Sequence, residues 1–233
     1  MTTPPDLASD KPILCADTCS ILDILRDPTR ETFGARDAAA ALALMAAFDR
    51  GLAHCVFAEQ VRLEFADHVE QVEAETTKAV SALQRRILHV HHLSVTMGAT
   101  GALNLSAIDG HAARGRAIAE RFLACGTTLP TGNDIINAAY HRMTQVRTPA
   151  RRGKDSFKDC LVIETYLAFA TERRSKGFSG PIVFVSSNTA DYMRETRATL
   201  TADIAAEFAS AGIDFTPNFR AAPHYLGLLQ QSA

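Results

Sequence analysis

The sequence predicts an α/β fold with a mainly parallel central sheet of four to five strands and helices on both faces, plus a helical insertion. Three observations predict it. Short apolar runs at 13–16, 54–58 and 181–186 have the unbroken character of strands buried on both faces. Amphipathic helical stretches separate them, as the crossovers of a parallel sheet require. The chain has 233 residues, 47% of them hydrophobic, which suits one sizeable core with an insertion better than two full domains.

Ile13, Leu14, Cys15 and Ala16 make the first strand. Thr18 or Ser20 can cap the next helix, where Ile21, Leu22, Ile24 and Leu25 keep helical spacing until Asp27-Pro28 breaks it. Asp37 is expected to cap an Ala- and Leu-rich helix over 38–50, stopped by Gly51. Residues 54–58 form the second strand. From Glu59, the residues Val61, Phe65, Val69 and Val72 share one side, with acids on the other. No Gly or Pro falls between Gly51 and Gly98, so this helix is expected to run to about residue 89. A loop over 98–106, a helix over 107–125 weakened by Gly110 and Gly115, and a helix from 132 to about 145 follow.

The basic loop 147–154 leads to Asp155 or Ser156, either of which can cap a helix carrying Phe157, Cys160, Leu161, Ile163, Tyr166 and Leu167. Residues 181–186 are the clearest strand, and 187–191 a turn entering a helix. A helix over 201–211 closes at Gly212, a last strand spans 213–216, and a terminal helix spans 225–230. Residues 1–233 read as one domain. The segment 72–150, in which no strand is legible, reads as a helical insertion or cap within it.

A formal net charge of -2 does not announce a nucleic-acid binder, so any such contact needs a local patch. No apolar run is long enough to span a bilayer, and residues 1–11 hold no apolar signal core. The five cysteines never form Cys-x-x-Cys, so buried, reduced thiols and a cytoplasmic location without membrane contact are expected. Cys19 holds the position where an acid-after-strand phosphotransferase wants a second acid. "DTCSIL" lacks the Gly-rich turn of a dinucleotide site. His89, His91 and His92 lack the i, i+4 spacing of a helical metal face and read as surface residues.

Acids at strand ends carry the chemistry. Asp17 ends the first strand. Glu64 lies in the first two turns of the third helix. Asp155 and Asp159, four apart, share a helix face, and Asn188 and Asp191 follow the strongest strand. In a parallel sheet Asp17, Asn188 and Asp191 share the edge where ligands bind. Each has a plainer role as well: Asp17 and Asp155 as helix caps, Glu64 as a solvated helix residue, Asn188 as a turn residue, Asp191 as a helix-start acid. Together, however, such carboxylates need a counter-charge, and Mg²⁺ or Mn²⁺ held by oxygen ligands supplies it.

Asp17-Thr18 after the first strand, Glu64 in "FAEQVRLEF", Asp159 in "RRGKDSFKDCLVIETYL", and "IVFVSSNTADY" together resemble the PIN-domain family of metal-dependent ribonucleases, in its longer bacterial branch. The resemblance covers about 12–71 and 154–217. It implies catalytic positions at Asp17, Glu64, Asp159 and Asn188, the last an amide where many members carry an acid. It implies Mg²⁺ or Mn²⁺ held by Asp17, Glu64 and Asp159, with Asp155 and Asp191 as further candidates, and support from Thr18 and Ser186. The implied activity is endonucleolytic hydrolysis of RNA by in-line attack of water, without a side-chain nucleophile. Arg142, Arg147, Arg151, Arg152, Lys154 and Lys158 then have phosphates to meet, and Tyr140, Phe157 or Tyr192 bases to stack on. Asn188 keeps an alternative open: a catalytically weak or inactive PIN-like protein that binds RNA or a partner. RNA is the implied substrate. An antitoxin or other protein partner, or a second copy of the chain, stays open.

Overall fold

A computed structural model describes residues 10–30, 33–194 and 199–228. The polar stretch at residues 1–9, and residues 229–230 of the expected terminal helix, lie outside the described residues. Five strands form one all-parallel sheet: β1 (Ile13–Ala16), β2 (His54–Ala58), β3 (Thr127–Leu129), β4 (Ile182–Val185) and β5 (Ile213–Thr216). Every residue of β1 and β4 is buried, which is why their sequences are apolar without alternation. The spatial order is β3-β2-β1-β4-β5. The chain steps outward from β1 to β3, returns to β4, and steps outward again to β5. The direction of winding therefore reverses between β1 and β4, and a crevice opens at their carboxyl ends.

The connections are helical. Helix α1 (Thr18–Asp23) is capped by the Asp17 side chain, which accepts the Thr18 amide. Helix α2 (Ala35–Asp49) begins three residues before the expected start. Gly34 holds the cap position, and Asp37, one turn in, reaches back to accept the Gly34 N–H at 3.2 Å. Helix α3 (Glu59–Thr96) has 38 residues and passes the expected end near 89, because no breaker precedes Gly98 at φ 94°. Helix α4 (His111–Ala124) starts later than expected, after Gly110 at φ 66°. Its Gly115 is a packing contact, since a Cβ there would lie 3.1 Å from the Leu25 Cα. Helices α5 (Asn133–Thr144), α6 (Phe157–Ser175), α7 (Thr189–Tyr192) and α8 (Ala202–Ala211) match the expected positions within a few residues. The terminal helix α9 (Ala222–Tyr225) lies earlier than 225–230, and Gly227 at φ 68° follows it.

Two expectations are corrected here. The segment 72–150 is not purely helical, for it supplies β3, the edge strand beside β2. Two expected base-stacking or phosphate-binding side chains are internal. Tyr192 is 1% exposed and packs on Phe184 and Phe215. Arg142 is 1% exposed and ties three helices together, donating to Glu164 at 2.6 Å, to Glu207 at 2.5 Å and to the Thr148 carbonyl at 2.6 Å.

One side chain joins the carboxyl ends of β1 and β2. Direct pairing of β1 with β2 stops at Cys15 and Val56. Beyond them the buried Tyr166 hydroxyl, from α6, donates to the Ala16 carbonyl at 2.7 Å and accepts the Ala58 amide at 3.2 Å. A relay through one oxygen thus replaces a direct strand-to-strand bond. Among the described residues, no helix is long and apolar enough to cross a membrane, and all five cysteines are free.

Candidate active site

The crevice is built outward from Asp17. Its Oδ1 accepts the Thr18 amide at 2.7 Å, and its Oδ2 accepts the Ser186 hydroxyl at 2.7 Å and the Cys19 thiol at 3.0 Å. Ser186 follows β4, so this one carboxylate ties the ends of two strands across the reversal point. The Thr18 hydroxyl donates to Glu64 Oε2 at 2.9 Å, which brings an acid of α3 beside the first turn of α1. Asp159, in the first turn of α6, completes the acidic wall. Asp17, Glu64, Asp159 and Asn188 line one cleft of about 340 Å³, with Lys154 and Lys158 at its side.

Electrostatics show that the acids act on one another. Burial pushes the Asp17 carboxyl up; hydrogen bonds from Cys19 and Ser186 oppose this, and the charge of Asp159 adds to it. Burial also raises Glu64, the Thr18 hydrogen bond opposes, and the Asp17 charge adds. Burial raises Asp159, Lys154 opposes, and Asp191 and Glu64 add. Asp17 feels Asp159, Asp159 feels Glu64, and Glu64 feels Asp17. For each of the three carboxyls burial is the larger cause and a neighbour's charge adds to it.

The family model for the PIN domain matches residues 14–192. The chain belongs to the PIN-domain family. No curated protein and no solved structure matches it. The matched range takes in Asp17, Glu64, Asp159, Asn188 and Asp191, and it runs through 72–150, which the sequence resemblance left uncovered. PIN domains are generally nucleases and typically use divalent metals.

The acids of this PIN domain fit a hard dication by chemistry: all are oxygen donors, and each is disfavoured by a neighbour's charge. As placed, no group of three or more His, Cys, Asp or Glu among the described residues is set to hold an ion. Part of the missing positive charge is supplied by Lys154, whose ammonium lies 3.5 Å from Asp159 and 2.7 Å from Asp191.

The other predicted residues divide. Asp191 is buried in ion pairs with Lys154 and Arg151, and takes the Asn188 amide at 2.5 Å. Asp155 lines the cleft while its Oδ1 accepts the Phe157 amide at 3.2 Å, the role of a helix start. Lys158 lines the cleft and lies 3.6 Å from Asp67. Arg147 pairs with Glu207, beside the buried Arg142, and Arg152 is exposed; neither lines the cleft. Tyr140 is exposed, and Phe157 packs against Ala139, Ala150, Cys160 and Leu161. Cys19, Leu22, Arg26 and His68 also line the cleft, and sequence reasoning gave them no site role. His68 had a readable signal, for it lies one helical turn beyond Glu64.

The raised carboxyls set a pH dependence. Each holds its proton more tightly folded than unfolded, so its stabilising contribution is complete below the ordinary carboxylate pKa and lost as pH rises through the raised value. In chelator, the melting temperature is therefore expected to rise as pH falls from neutral toward the ordinary carboxylate range, about 4. Asp203 limits this gain at lower pH. Burial pushes its carboxyl up, but hydrogen bonds from Thr148 and Thr201 outweigh burial and hold it at about 2. Its contribution is present above the ordinary carboxylate pKa and falls away as pH drops toward 2. Differential scanning fluorimetry across that range checks both signs, and a melting temperature that falls steadily from neutral pH downward contradicts the first.

Proposed function

We propose that this PIN domain is a metal-dependent endoribonuclease that uses Mg²⁺ or Mn²⁺ to hydrolyse phosphodiester bonds of single-stranded RNA. The observation that carries the reading is the convergence of Asp17, Glu64 and Asp159, from three separate elements, on one cleft. Those three carboxylates would hold the ion, with the Asn188 amide beside them. A bound divalent ion supplies charge that polarises the phosphoryl group and acidifies water.

The remaining groups orient and screen. Thr18 and Ser186 fix the carboxylates by hydrogen bonds, and Lys154, Lys158 and Arg26 face the cleft as partners for phosphate. Burial, then the charge of Asp17, pushes the Cys19 thiol up, which disfavours the reactive thiolate, and the thiol is engaged in donating to Asp17. The reading makes water the attacking group.

The test uses a circular single-stranded RNA, which only an endonuclease opens. Linear product is expected with Mn²⁺ or Mg²⁺ and none with chelator. RNA left intact with every divalent ion overturns the reading. Asn188, donating to Asp191 where many family members carry an acid, favours a second reading as a binding protein of weak or no activity. Under that reading the circle is bound and not opened.

A further inference from the structure

The loop 151–154 puts a cation where the acids want one. The Lys154 ammonium lies 2.7 Å from one oxygen of Asp191 and 3.5 Å from Asp159. Arg151 lies 3.2 Å from the other oxygen of Asp191, and Asn188 also donates to Asp191. Asp191 thus keeps a cation and an amide if Lys154 withdraws. Asp159 keeps neither, for no other cation among the described residues pairs with it. The Lys154 contact with Asp159 is long, its side chain is 47% exposed, and its charge sits at the end of a flexible four-carbon stem.

We infer that Lys154 is an exchangeable counter-ion of the carboxylate cluster, displaced from Asp159 by a divalent cation and then available to an RNA phosphate, so that cation and RNA bind cooperatively. The inference rests on the nuclease reading above and adds a mode of regulation to it. The reasoning is competition for one carboxylate. A dication approaching Asp159 must first displace the ammonium, which lowers cation affinity when no RNA is present. An ammonium held by two carboxylates is equally withheld from phosphate. Whatever factor RNA adds to cation binding, the cation must add to RNA binding.

The test is calorimetric. Mn²⁺ is titrated into wild-type protein, Lys154→Met and Lys154→Gln without RNA. Ca²⁺ is then titrated with and without a short single-stranded RNA, whose integrity is verified afterwards. Both variants are expected to bind Mn²⁺ about tenfold more tightly than wild type, and Lys158→Met, a cation of the same cleft, less than about twofold. RNA is expected to tighten Ca²⁺ binding to wild type by about tenfold and to leave the Lys154 variants unchanged. Wild-type Mn²⁺ affinity in both Lys154 variants, or an equal gain in Lys158→Met, overturns the inference while the nuclease reading stands. Absence of divalent binding to all proteins overturns both.

Discussion

Asp17→Asn is expected to fold normally and to lose at least about a thousandfold in RNA cleavage, since several kcal/mol of electrostatic stabilisation are at stake and each 1.4 kcal/mol is tenfold. Its buried carboxylate is costly without a counter-charge, so the neutral amide is expected to leave the apo melting temperature unchanged or raise it. The substitution also changes what the position can accept. Oδ1 takes the Thr18 amide and Oδ2 takes Ser186 and Cys19, so the asparagine keeps the Thr18 bond with its nitrogen on the Ser186 side, where the Ser186 hydroxyl turns to accept from it. On the proposed reading a divalent ion binds the folded state alone, so it is expected to raise the melting temperature of wild type, whereas the variant stays flat. Cleavage rates and melts with and without Mn²⁺ check this together. A variant that cleaves at the wild-type rate removes Asp17 from the chemistry.

Arg142→Met is expected to give the largest loss of stability, about 3 kcal/mol, because removing one partner strands the charges of the others. For a chain of this size that is a fall of roughly 6–12 °C in melting temperature. Glu164 and Glu207 are partly accessible, which keeps the figure at the low end of the range for buried pairs. Combining Arg142→Met with Glu207→Gln is expected to cost less than the sum of the single changes, as partners in one network do. Urea denaturation of the four proteins closes the cycle. A loss below about 0.5 kcal/mol in Arg142→Met contradicts the assignment of Arg142 as a tie between helices.

What the sequence disclosed follows from where its signals arise. β1 and β4 were legible because burial on both faces leaves an unbroken apolar run. β3 was not, since Thr127-Thr128-Leu129 is a short, half-exposed edge with neither alternation nor a run. The acids at strand ends were legible because parallel topology fixes which edge they share. Arg142 was misread because a cation shows its charge in sequence and conceals its burial. Its acidic partners stand 22 and 65 residues away. Arg26 joins the cleft through tertiary placement, whereas Cys19 stands two residues after Asp17, a spacing that excludes a phosphotransferase without announcing a thiol donor to Asp17.

The oxygen of Tyr166 has a wider effect than its two hydrogen bonds. It acts as a spacer that keeps β1 and β2 from zipping together immediately before Asp17 and the start of α3. Closing that gap would pair the Ala58 amide with the Ala16 carbonyl directly and strand the buried Tyr166 hydroxyl, so the spacing is held by a group with nowhere else to bond. Asp17 and helix α3, which carries Glu64, therefore leave the sheet from two strand ends held at a fixed separation.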